Sequence, residues 1–379
     1  MKINIVGGGP AGLYFALLMK QRNPEHEISV YERNTRDNTF GFGVVFSDRT
    51  LSYLGDNDRP THEAIRSRFQ TWPNVDVVHR DQRISVQGNH FSGIARIDLL
   101  NILQRRCEEL GILLYFGQNI PDPLSLAACD LLVGADGVLS GVREAYEESF
   151  GPSLDLRPNK YIWYGTPRLF HGLTLTFRTN QDGLFIAHSY KFSLDPPCST
   201  FIVECDELSW KNARLDQLSD EEVRAYLGEV FREDLQGQPL LSKNSRWLNF
   251  GVVRNEHWHH NNVVLLGDAL HTVHFSIGSG TKLAFEDAIA LAQSFDQHGD
   301  NVSAALAVFE AVRRPIVEGF QEASLASLRW FEGAAQYTHL APLELAWAVM
   351  TRSGRVDLDS LRRRDGAFVA AYEALKGKA

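Results

Sequence analysis

Three glycine-rich segments, spread over more than 250 residues, carry the groups best suited to hold phosphates and a polyol. In the first, GGGPAG at Gly7 to Gly12, Gly7 permits a tight turn, Gly9 lets the backbone approach a pyrophosphate, and Gly12 lets a helix pack closely on a strand. Pro10 and Ala11 open that helix, whose N-terminus faces the anion. Glu32, 20 residues after Gly12 and followed by Arg33, stands where a carboxylate accepts the hydroxyls of an adenosine ribose.

The second segment, GADG at Gly134 to Gly137, supplies Asp136 and Gly137 and leads to Arg143, a cation expected to neutralise phosphate. The third, GDALHTVHFSIGSGTKLAFEDA at Gly267 to Ala288, follows a buried-strand pattern. There Gly267 turns the chain and Asp268 offers oxygens to a ribityl chain. Gly278, Gly280, Thr281 and Lys282 open a helix whose N–H groups can stabilise charge on a reduced flavin. The first motif alone leaves NAD and FAD open; the ordered trio points to one FAD.

The intervening elements are placed to bring these segments together. Lys2 to Val6 reads as a buried parallel strand, Leu13 to Gln21 as a helix and Ile28 to Tyr31 as a second strand, the length of one βαβ unit. A helix is predicted over Asp98 to Leu110, with strands at Ile112 to Phe116 and Leu131 to Val133. Short β-rich runs at Tyr161 to Gly165, Leu173 to Arg178, Leu184 to His188 and Thr200 to Cys205 predict an antiparallel sheet. Val263 to Leu266 is again strand and Thr281 to Gln293 helix. Beyond Ser303 the pattern is helical, with breaks expected near Pro315, Pro342 and Gly354. The expected fold is α/β: a Rossmann-like, glutathione-reductase-type FAD domain (1–70, 91–155 and 251–325), an inserted antiparallel substrate sheet (71–90 and 156–250), and a helical C-terminal region (326–379).

The chain has 379 residues, 44% of them hydrophobic, enough for a substantial core. Lys plus Arg number 38 against 47 Asp plus Glu, and the resulting charge of -9 argues against nucleic acid or an anionic membrane as partner. Cys107, Cys129, Cys198 and Cys205 lack CxxC spacing and read as reduced thiols. No signal-peptide pattern is seen, and no apolar run reaches the roughly 18 to 20 residues of a membrane span, so a cytoplasmic enzyme is expected.

Candidate groups for chemistry flank the third motif: His271, His274 and Phe275. His188, Tyr190 and Lys191 project from a predicted strand, and Trp163, Tyr164 and Trp247 fit either a substrate wall or ordinary core. His257, His259 and His260 have no carboxylate or thiol at ligand spacing and read as a solvated turn rather than a metal site.

On the three segments the chain resembles the single-component, para-hydroxybenzoate-hydroxylase-like FAD-dependent aromatic hydroxylases. Arg96, in IARIDLL, matches that family's arginine before the second helix, which implies a flavin contact. The strings at Thr39 to Leu51 and from His274 onward are similar to salicyloyl-CoA and 2-aminobenzoyl-CoA hydroxylases. Those at Asn159 to Thr166, Phe185 to Lys191 and Ser199 to Cys205 are similar to the indole hydroxylase of violacein biosynthesis. His274 and Phe275 replace the paired prolines of the wider class, so the proline carbonyl contact near the flavin is not carried over.

The resemblance implies that NAD(P)H reduces FAD, that O2 adds at flavin C4a, and that the distal hydroperoxide oxygen passes to an electron-rich ring. The substrate is expected to be an indole-containing natural-product intermediate, since the chain is expected to lack the second fused domain common in the aminobenzoyl-CoA-like enzymes. An aromatic acyl-CoA thioester is the alternative. An indole is nucleophilic without deprotonation, so a dedicated base is not required. A halogenase would be expected to carry WxWxIP and a lysine near the first motif, and a noncatalytic FAD-binding partner would show no substrate-stimulated NAD(P)H oxidation. NADH versus NADPH and the oligomeric state stay open.

Overall fold

The structure is a computed structural model that describes residues 1–39 and 41–377; Phe40, inside the Thr39 to Leu51 string, lies outside the described residues. At its centre the Lys2–Val6 strand is hydrogen-bonded in parallel to Glu27–Glu32 on one side and Leu131–Gly134 on the other. Leu113–Phe116 extends this sheet beyond Glu27–Glu32, Val263–Leu265 extends it beyond Leu131–Gly134, and the short His259–His260 strand closes that edge antiparallel. The strands thus come from three distant stretches of chain, and the loops leaving their C-terminal ends are the three glycine segments. The helix Pro10–Arg22 is buried from Pro10 through Met19, because it lies between the sheet and the helices Arg96–Glu109 and Gly280–His298. An element covered on all sides must be apolar all round, which is how its sequence reads.

A seven-stranded sheet runs in the order Leu248–Asn255, Pro152–Thr166, Pro197–Cys205, Gly183–Leu194, Leu173–Asn180, Val75–His79, Gln82–Val86. It is antiparallel except where Val75–His79 pairs with Leu173–Asn180. Cross-strand register decides what each face carries. Tyr161 pairs with Glu204, Glu204 with Ile186, Trp163 with Ile202 and His188 with Ile202, so these side chains share one face. On the other face Ile162, Tyr164, Phe185, Phe201 and Val203 form a separate core under the helices of residues 207–235.

A three-stranded sheet of Gly43–Ser47, Phe91–Ala95 and Gln70–Trp72 packs on the Gly183–Leu194 strand of the seven-stranded sheet and meets the Arg96–Glu109 and Gly280–His298 helices. The C-terminal helices Pro342–Thr351, Leu358–Arg364 and Gly366–Lys376 cover the Val75, Leu175 and Leu184 end of the seven-stranded sheet. The break expected at Pro315 does not occur: one helix runs from Val302 to Glu332 with Pro315 inside it. A proline there gives up a backbone bond, at a cost of roughly 3 kcal/mol. Burial of Phe309 and Arg313 before it and Val317 and Gln321 after it holds both halves to the same wall.

Candidate active site

The three glycine segments converge on one cleft of 440 Å³. Gly7, Gly9, Pro10, Ala11, Glu32 and Arg33 line it from the first, Asp136 and Gly137 from the second, and Gly267, Asp268, Gly280 and Thr281 from the third, with Arg96 across from them. The glycines divide by function. A Cβ on Gly7 would stand 2.2 Å from the Ala135 oxygen and one on Gly12 2.2 Å from the Gly7 oxygen, so both are required by backbone packing. A Cβ on Gly9 would meet nothing within 4 Å, which leaves its backbone open to a phosphate on the cleft side. Gln104 also lines the cleft, with a buried Oε1 that has no protein partner. These residues fit an FAD: open N–H groups at a helix N-terminus, a cation in Arg96, and a carboxylate in Asp268 facing the space.

Several side chains at the cleft also brace its loops. Glu32 Oε2 accepts the Gly8 N–H at 2.8 Å, and Oε1 accepts the Asn34 N–H at 2.8 Å. Asp136 accepts from the N–H groups of Gly141 and Val142 and caps the turn that follows. Arg143, expected to neutralise phosphate, instead donates to the carbonyls of Val138 and Ala269 and ties the second segment to the third. Gly12, Gly278 and Lys282 are not among the cleft-lining residues. Gly278 ends the Phe275–Ile277 turn at φ 60°, and the Lys282 ammonium pairs with Glu286 and lies 4.4 Å over the Phe320 ring.

Arg96 starts its helix beside the cleft and donates from Nε to Thr39 Oγ1 at 3.0 Å. Burial lowers its guanidinium from the usual range, opposed by Asp268, Glu32 and Tyr190. Asp268 projects into the cleft, and the surrounding protein raises its carboxyl while Arg96 and His271 pull the other way. His271 does not reach the cleft: its Nε2 meets Asp287 Oδ2 at 2.8 Å behind the loop. Burial pushes the Asp287 carboxyl up, but His271 and Arg313 outweigh it and hold it at about 2.

A second group sits on the inward face of the seven-stranded sheet. His188 Nε2 lies 3.2 Å from Glu204 Oε2, and Asn159 Nδ2 donates to Glu204 Oε1 at 2.9 Å. His274 Nε2 is 3.9 Å from that same Oε1, and its Nδ1 is 2.8 Å from Ser276 Oγ. Burial drives the His274 imidazole down to about 4, with Glu204 opposing. Desolvation raises the Glu204 carboxyl, but the two imidazoles and Asn159 bring it below its ordinary range. Phe275 packs 5.2 Å from the His188 ring and 5.0 Å from Tyr161, with Phe250 at 6.3 Å. Tyr190 is engaged elsewhere, donating to the Gly43 carbonyl at 2.8 Å.

Of the aromatic wall considered from sequence, Trp163 shares this face, whereas Tyr164 points to the opposite core and bonds Asp220 at 2.9 Å. Trp247 also packs against that opposite core. Tyr161, Phe250 and Glu204 join the inward face without having stood out in the sequence. The signal was available for Glu204: an acid standing among apolar residues in STFIVEC, where its own strand is buried on both faces.

A family model described as an FAD binding domain matches residues 124–324. Salicyloyl-CoA 5-hydroxylase of a Streptomyces species is 40% identical, covering 97% of this chain and 72% of that protein. Protodeoxyviolaceinate monooxygenase of Chromobacterium violaceum is 37% identical over 91% of this chain and 92% of its own. The chain belongs to this family of FAD-dependent aromatic monooxygenases. Among solved structures, 2-methyl-3-hydroxypyridine-5-carboxylic acid oxygenase superposes on the monooxygenase with a TM-score of 0.72 at 19% identity, covering 96% of this chain and 98% of that one, and so shares its fold. No helix among the described residues of the monooxygenase is long and apolar enough to cross a membrane.

Proposed function

We propose that this monooxygenase uses NAD(P)H and O2 to insert one oxygen atom into the electron-rich ring of an indole-containing intermediate. Bound FAD would supply the oxygen-activating chemistry, held by Gly9, Arg96, Asp268 and the Gly280–Thr281 turn. The observation that carries the reading is the set of partly buried rings Tyr161, Trp163, Phe250 and Phe275 on the inward face of the seven-stranded sheet, a wall for a substrate recess. Its rings, with Tyr161 and Phe250 inclined 52° and 75° to Phe275, offer apolar faces and edges to a planar substrate. At its edge His188 packs edge to face on Phe275 and at a tilt on Phe331, and an apolar surround of this kind favours transfer of oxygen over its loss as H2O2.

An aromatic acyl-CoA thioester is the second reading. It is favoured by the 40% identity with the salicyloyl-CoA 5-hydroxylase and by Arg246, an exposed cation acting on Tyr161 at the recess, where an anionic tail would leave it. Indole carboxylates and aromatic CoA thioesters offered separately to the FAD-loaded enzyme distinguish the two. Stimulated NAD(P)H oxidation by indoles supports the first reading, and stimulation by thioesters alone replaces it with the second.

A further inference from the structure

Glu204 is a buried acid on the inward face of the sheet. It is 1% exposed among Ile186, Ile202 and Tyr161, and a carboxylate taken out of water there is destabilising unless its oxygens are bonded. Its strand needs no acid for folding, since an apolar residue of like size would complete the wall. What the carboxylate does locally is fix an imidazole. With Glu204 Oε2 accepting from His188 Nε2, the neutral ring keeps its proton on Nε2 and its lone pair on Nδ1. Among the described residues nothing in the protein partners Nδ1 of His188, yet this atom is not sealed from solvent as Nδ1 of His271 is. The His188 ring stands against Phe275 at the recess.

The second imidazole does not compete for that role. His274 is committed at Nδ1 to Ser276, which continues to Ser327 at 2.8 Å and on to Arg352 Nε at 2.9 Å. Its backbone N–H is taken by Ser324. One imidazole is therefore spent on the protein, and the other retains an open acceptor.

We propose that Glu204 is a positioning residue that holds His188 with Nδ1 presented to the recess. That nitrogen then accepts a hydrogen bond from the substrate, which selects arenes bearing an O–H or N–H group. The inference rests on the proposed function for the location of the substrate ring. If the bonded proton leaves as oxygen is transferred, it moves from the substituent to Nδ1, and the resulting imidazolium is balanced by the Glu204 carboxylate at Nε2. This departs from the expectation that no base is needed for an electron-rich ring.

The test uses the FAD-loaded enzyme titrated with phenol, anisole, indole and 1-methylindole, read by perturbation of the flavin visible band. The wild type is expected to bind phenol and indole about tenfold more tightly than their methylated partners, the scale of one unsatisfied buried acceptor. Glu204→Gln and His188→Phe are expected to reduce that contrast below about threefold with FAD affinity retained. His188→Asn, whose amide oxygen falls near the place of Nδ1, is expected to restore it. A wild type that does not distinguish the pairs, or does not respond to any of the four, overturns the inference, as does a contrast that survives in both Glu204→Gln and His188→Phe. If an aromatic substrate stimulates NAD(P)H oxidation while methylation changes no affinity, this inference fails alone. If none stimulates oxidation, the proposed function fails, while the methylation contrast still reads the histidine.

Discussion

Asp287 Oδ2 lies 3.3 Å from the backbone nitrogen of Gly267, so a carboxylate of the Gly280–His298 helix reaches back to the first residue of the loop that aims Asp268. The same carboxyl group accepts from His271 at 2.8 Å and, through Oδ1, from Arg313 Nε at 2.8 Å. One fully buried acid thus joins the cleft loop, its own helix and the long C-terminal helix.

Asp287→Ala removes that junction and leaves the Arg313 charge buried with Glu286 as its remaining acid. Loss of one partner from a buried pair costs about 3 to 5 kcal/mol. Denaturant melts of the apoprotein are expected to show a loss of this order together with weaker FAD retention. An unchanged midpoint would mean that the loop is held by its glycines alone.

Asp268→Ala is the complementary case. Its side chain faces the cleft and carries none of the fold, so apoprotein stability is expected to stay within about 0.5 kcal/mol. FAD affinity, followed by quenching of flavin fluorescence, is expected to fall at least about tenfold, the worth of a charge-assisted hydrogen bond. Undiminished affinity would remove Asp268 from the site.

Gly9 and Gly12 separate binding from folding within five residues of chain. Gly12→Val places side-chain atoms where a Cβ already stands 2.2 Å from the Gly7 oxygen, and this variant is expected to lose several kcal/mol of stability and its FAD. Gly9→Ala meets no protein atom within 4 Å. It is expected to melt as the wild type does without ligand and to bind FAD more weakly, because the methyl occupies the phosphate approach. Equal FAD affinity in Gly9→Ala would mean that the pyrophosphate lies elsewhere.

His274 sets a pH dependence. Its imidazole is held at about 4 against an ordinary 6.5, so between those values the unfolded chain binds the proton and the native protein does not. Stability therefore rises with pH across this window, and falls on acidification by on the order of 3 kcal/mol. Asp287, at about 2 against 3.8, withdraws its own contribution only at lower pH, as its carboxylate becomes protonated. Thermal midpoints of the wild type are expected to drop between about pH 6.5 and 4, and those of His274→Asn to drop less. Parallel curves for the two proteins would contradict the assignment.

The cofactor cleft was legible because its glycines answer to local backbone geometry, which spacing along the chain reveals. Gly7, Gly12 and Gly267 are needed for turns and close packing that any βαβ unit of this kind requires. The substrate face was not legible in the same way. Trp163 and Tyr164 are neighbours in sequence and therefore point to opposite sides of a strand, and only the pairing of Tyr161 with Glu204 and Trp163 with Ile202 tells which is which. Glu204 carried a partial signal, an acid among apolar residues in STFIVEC, but only the pairing with Tyr161 and Ile186 tells which face it joins. His271 lies close to Asp268 in sequence but turns behind the loop to Asp287. Arg143 was read as a phosphate cation because its carbonyl partner Ala269 is 126 residues away.

The central claim is transfer of one atom of O2 to an aromatic ring. The FAD-loaded enzyme, given NAD(P)H, oxygen-18 gas and a panel of indole carboxylates and aromatic CoA thioesters, should yield for at least one of them a product containing a single heavy oxygen by mass spectrometry. NAD(P)H consumption that ends only in hydrogen peroxide across the whole panel, with no heavy oxygen in any organic product, would contradict it.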